Sequence, residues 1–175
     1  ARNASPDRSH NETWDSIVIT GAIGFLAYIF LFGAFFYFGF KWVGLIVKRR
    51  DTILFWSLWI IGGIVGGVGA VTILEPGFLG VGIAGGVGIG LALFMLISSV
   101  MSALGAAEGA LHVRASLRDQ ILMVAIISAA VAHFAEIHLG IAIASTRTTF
   151  WALAGALVVV GLGWLRDSKV AADAP

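Results

Sequence analysis

Ionisable side chains inside apolar stretches are where this chain could do chemistry, and three fall together: His133, Glu136 and His138. Charge is costly in a bilayer and marks sites that serve ions, protons or cofactors. His133 and Glu136 are three residues apart, so on a helix they share a face. Ala129, Ala132 and Gly140 flank that face and suit close approach of another helix. Glu136 and His138 are two apart and point to nearly opposite sides, which sends His138 elsewhere or to the interface. Three roles suit His133/Glu136. They are a structural hydrogen bond within a complex, a proton or cation relay, and contact with haem, a chlorin or a quinone through the imidazole of His133. A bis-histidine haem needs a second His at matching depth, and only His138, on the other face, is near. Glu108 and His112 form a second pair, spaced four apart. Together the two pairs have the ligand types of a di-metal carboxylate bundle, but they fall at opposite membrane surfaces, and no metal is assigned. No nucleophile–base–orienter set can be assembled, so no catalytic residue is assigned and no catalytic activity of the chain's own is expected.

The elements that must carry these residues are set by hydropathy. Hydrophobic residues make up 59% of the 175 and charged ones 12%, outside the range of soluble domains. Five stretches, 17–40, 53–73, 78–107, 120–144 and 150–165, approach the roughly 20 apolar residues a bilayer crossing needs, the last being short. The expected fold is all-α: a polytopic integral membrane protein with one bundle over 17–166. A tail over 1–16 and a tail over 167–175 flank it. Stretch 78–107 would be about 45 Å long as a helix, so it tilts or protrudes. The net charge of +1 gives no steering toward nucleic acid. The absence of cysteine excludes disulfides and thiolate chemistry. The chain opens without an initiator Met, for which removal of Met or cleavage of a presequence is expected.

Charge orients the spans. Lys41, Lys48, Arg49, Arg50, Arg114, Arg118, Arg166 and Lys169 fall on one side of a five-span protein, and Arg2, Arg8 and Arg147 on the other. The positive-inside rule puts the N-terminus out and the C-terminus in. Trp14 and Trp151 then mark the outer interface, and Trp42, Trp56 and Trp164 the inner one, with Trp59 a turn deeper. Asp51 and Thr52 suit a helix cap, and Glu75-Pro76-Gly77 a tight turn. Asn3-Ala4-Ser5 and Asn11-Glu12-Thr13 have the form of N-glycosylation acceptors, with Asn11 close to the membrane.

Glycines repeat every four residues at Gly62/Gly66 and Gly63/Gly67, at Gly82, Gly86 and Gly90, and at Gly105/Gly109. Such spacing lets helix backbones approach closely in lipid, either within the bundle or against other chains. Ser98, Ser99 and Ser102 suit hydrogen bonding within or between helices. The first span carries aromatics around most of its circumference, which places it at the periphery, in contact with lipid.

The run Gly80–Gly90, the basic loop with Arg114 and Arg118, and the helix bearing Glu136 resemble the hairpin of rotary-ATPase proteolipids. The proteolipid carboxylate would fall nearer His133 than Glu136, and no Tyr-Gly follows it. The function expected from all of these features is a non-catalytic accessory or structural subunit. Its host is a larger, energy-transducing membrane complex in an energy-coupling or plasma membrane, with lipid and other transmembrane subunits as partners. The alternative is a small homo-oligomeric proton or cation channel or carrier using His133/Glu136, a proteolipid-like ring subunit included.

Overall fold

The computed structural model describes residues 11–104, 117–139 and 144–172. Every regular element among them is helical: α1 (Glu12–Trp42), α2 (Arg49–Ile73), α3 (Leu79–Ala103), α4 (Leu117–Leu139) and α5 (Ala144–Ala172). A 3₁₀ turn, Pro76–Phe78, links α2 to α3. The first four are long and apolar enough to cross a bilayer, and α5 contributes a shorter described apolar stretch, Thr148–Gly163. This is the pattern of a multi-pass membrane protein.

The helices start and stop for local reasons. Asn11 caps α1, its side-chain oxygen accepting from Trp14 N–H at 3.2 Å. Glu12 and Asp15 in the first turn suit the helix dipole. Gly21, at φ 69° and ψ −173°, breaks the helix in a region open essentially to glycine alone. Ahead of it Thr20 Oγ1 donates back to Ser16 O at 2.6 Å, a bond that bends helices. After Trp42 the chain turns through Gly44 (φ 83°), with Leu45 N–H reaching back to Phe40 O at 2.8 Å. Asp51 fixes the start of α2, its Oδ2 accepting from Val47 N–H and Lys48 N–H at 3.1 and 2.8 Å.

Two antiparallel hairpins result, α2 with α3 and α4 with α5. In the first, glycine faces glycine. A Cβ added at Gly62 would strike the carbonyl oxygen of Gly86, and one at Gly66 that of Gly82. One at Gly90 would strike the carbonyl of Leu58. Because α3 spends this face on α2, the proteolipid-like hairpin of α3 with α4 is not how the chain pairs.

The first span is not peripheral along its length. Residues around Val18, Ile19 and Ile23 are exposed, but Phe32, Phe35, Phe36 and Phe40 form the centre of the core. Phe32 meets Phe134 of α4 and Phe150 of α5, with ring centroids 5.0 and 4.4 Å apart. Phe36 meets Trp59 of α2 at 6.0 Å, and Phe40 meets Phe94 of α3 at 5.5 Å. An all-round apolar helix suits a helical surround as well as lipid, and here its second half takes the former.

Candidate functional site

The polar residues gather at the end of the bundle where α1 and α3 begin and α4 ends. His133 and Glu136 are brought together by α4, Nδ1 to Oε2 at 3.3 Å. The His133 side chain is 4% exposed and that of Glu136 58%, so the pair runs from the protein interior to its surface. The separation is longer than the roughly 2.7–2.9 Å of a strong charge-assisted bond.

His138 does not face the interface. It is 2% exposed, and both ring nitrogens are engaged. Nδ1 lies 2.6 Å from the carbonyl of Phe134 and must donate to it, since a carbonyl only accepts. In the neutral ring Nε2 is then the acceptor, and the Tyr28 hydroxyl, 3.1 Å away, donates to it. The bond ties α4 to α1 where α1 enters the core.

The start of α1 closes this end. Asn11 Nδ2 donates to His138 O at 2.8 Å, so the N-cap of α1 also satisfies a carbonyl at the end of α4. Asn11 is 5% exposed and packs against Gly80, where a Cβ would strike its side-chain oxygen. The nitrogen to which a glycan would be joined is therefore committed to an interhelix bond in this fold. Trp14 Nε1 donates to Gly77 O at 3.0 Å, fastening the same segment to the turn before α3. Thr13, Asp15 and Ser16 are buried beside them.

A cavity of about 180 Å³ lies here, walled by Glu12, His133, Tyr28, Phe32, Phe150 and Trp151. His133 and Tyr28 thus face one small space, and Tyr28 passes the connection to His138. The groups form a file that can hold or pass a proton: Glu136, His133, the cavity with Glu12, Tyr28 and His138. The cavity is smaller than the roughly 300–1,000 Å³ of small-molecule sites, so it suits a small cation better than haem, a chlorin or a quinone at His133. No group of three or more His, Cys, Asp or Glu fit to hold a metal occurs among the described residues. On the far side of His138 a groove of about 330 Å³ runs between α3 and α4, and His138 is the one polar side chain lining it among the described residues.

The structure places Gly62, Gly66, Gly82, Gly86 and Gly90 in the α2–α3 contact, away from this cluster. Glu75 stays exposed in the turn before α3. Asn3, Gly105, Glu108, Gly109, His112 and Arg114 lie outside the described residues. Sequence alone places Asn11 in the 1–16 tail close to the membrane, and it gives Glu12 and Tyr28 no part in the site. Asn11 followed by acidic residues at positions 12 and 15 is the helix-start signal that the sequence carries here. Comparison with protein-family models, with the curated proteins and with the solved structures gives no match, so the site is read from its own chemistry.

Proposed function

We propose that this chain is a non-catalytic transmembrane subunit of a larger, energy-transducing membrane complex. The observation that carries this reading is the closed interior. Between the polar cluster and the opposite end of the bundle stand Phe36, Phe40, Phe55, Trp59, Phe94 and Phe134, all buried. Nε1 of Trp59 is buried there with no hydrogen-bond partner among the described residues. Among the described residues, the interior between the two ends is therefore filled by rings and not by polar groups. The cluster of ionisable groups is expensive in a span and is better accounted for in an assembly that moves protons or ions. In the orientation proposed, N-terminus out and C-terminus in, the ends bearing Lys41, Lys48, Arg49, Arg50 and Arg118 face inward. The host is an energy-coupling or plasma membrane. Affinity purification in mild detergent followed by mass spectrometry tests the reading. A stoichiometric set of other membrane proteins is expected, and recovery of the chain alone or only with its own copies would sink it.

A second reading rests on the exposure of Glu136 beside buried His133. In a homo-oligomer that carboxylate would stand at a subunit boundary, where a proton or cation could pass between copies. Glu136→Gln should then abolish transport while leaving assembly intact. Unchanged turnover in a well-assembled variant removes this reading.

A further inference from the structure

A second cavity, of about 260 Å³, lies at the opposite end of the bundle, between the α1–α2 loop, the start of α2 and the end of α3. Its side-chain lining is unbalanced toward hydrogen-bond donors. Lys48 brings an ammonium and Arg50 a guanidinium, neither able to accept. Ser98 and Ser102, one turn apart on α3, bring two hydroxyls. Serines within helices often bond back to the carbonyl four residues earlier, yet these two make no hydrogen bond among the described residues. Asp51, the one carboxylate among the described lining residues, is already used. Asp51 Oδ2 holds Val47 N–H and Lys48 N–H, and Oδ1 lies 3.4 Å from Arg50 Nε. Leu54, Ile97 and Met101 complete the wall with apolar side chains.

The lining of this space combines cationic, donor-rich side chains with apolar ones, at the end of membrane-length helices. The complement is an amphiphile with an anionic, oxygen-rich head, and basic pockets between spanning helices bind such headgroups. We infer that this cavity binds the phosphate of an anionic membrane lipid. Lys48 and the hydroxyls of Ser98 and Ser102 take the phosphate oxygens, Arg50 adds its positive charge beside them, and an acyl chain lies along Leu54, Ile97 and Met101. The apolar half favours a lipid over a free phosphate, which would leave it unused. The inference does not depend on the host complex.

The test reconstitutes the full chain in nanodiscs of equal phosphatidylcholine and phosphatidylglycerol and counts retained lipids by native mass spectrometry. Retained phosphatidylglycerol should exceed phosphatidylcholine, with Lys48→Gln and Arg50→Gln each lowering the preference about fivefold. Because those charges also help set topology, Ser98→Leu is the second variant. It fills the cavity without changing charge and should also release the lipid. Arg118→Gln, a basic residue outside the lining, should retain it. No preference in the parent protein, full retention in Ser98→Leu, or equal loss in Arg118→Gln would each overturn the proposal, the last by showing diffuse surface charge. Inorganic phosphate should not displace the lipid. Displacement at millimolar phosphate would make the site one for a soluble anion and overturn the lipid assignment.

Discussion

Between α2 and α3 the contact is backbone on backbone; around α1 it is ring on ring. In the first seam Gly62, Gly66, Gly82, Gly86 and Gly90 leave nothing between the two main chains. In the second, Phe32, Phe36 and Phe40 reach four other helices through aromatic side chains. Lipid is as apolar as a leucine side chain, so neither seam is driven by removing surface from water, and both rest on close packing. They reach it by opposite routes, and they should fail differently. A seam made of backbone cannot yield to an added atom. A seam made of rings yields, but loses contacts with every atom removed.

The largest effect is expected from Gly86→Leu. A Cβ there would strike the carbonyl of Gly62 and come within 2.9 Å of Gly66 Cα, neither of which can rotate away. A destabilisation of roughly 3 kcal/mol or more follows from such overpacking, read as collapse of the monodisperse peak in size-exclusion chromatography. Gly85→Ala sharpens the contrast, because a Cβ at that position meets nothing within 4 Å. It should be neutral or slightly stabilising, since alanine is the better helix former. Equal damage from both variants would mean that glycine content, not the seam, is what matters.

Phe36→Ala comes next. The side chain is fully buried among α1, α2 and α4. Its removal should cost about 2–3 kcal/mol, below the soluble-protein range because the cavity term persists in lipid while the transfer term fades. Thermal unfolding in detergent should show the drop, and Phe36→Leu should recover part of it.

How far these seams can be read from sequence differs for a physical reason. Four-residue glycine spacing on two successive spans is a geometric signal, and the structure sets Gly62 and Gly66 against Gly82 and Gly86, while Gly63 and Gly67 face Ile83, Val87 and Leu79. Aromatic content is no such signal. Phe30 and Phe36 are the same residue type six positions apart on one helix, yet one is exposed and the other fully buried. In water the solvent would sort them, but lipid accepts either face, so the central place of α1 is invisible in hydropathy. The His133/Glu136 spacing could be read because it is local to one helix. The partners of His138 could not, since Tyr28 and Asn11 are 110 and 127 residues away in the chain. The start of α1 is hidden as well, because Glu12, Thr13, Asp15 and Ser16 make its first turn polar and hydropathy reads it as tail.

The polar clamp should contribute less than either seam. Asn11→Ala removes a helix cap and leaves the carbonyl of His138 without its donor. About 1–2 kcal/mol is expected, with faster hydrogen exchange confined to the first turns of α1. Tyr28→Phe takes away only the hydroxyl on His138 and should cost about 0.6 kcal/mol, the average for hydrogen bonds between membrane helices. A Tyr28→Phe loss as large as that of Phe36→Ala would invert the comparison and make the polar end the true fastening of α1.

Both seams leave the middle of the bundle apolar, and the proposed role as a subunit rests on that. The direct measurement is proton and cation flux into proteoliposomes holding the purified chain alone, under an imposed membrane potential. Flux no greater than in empty vesicles is the predicted result. A flux well above that background that disappears in Glu136→Gln would contradict it, and would show that copies of this chain build the route themselves.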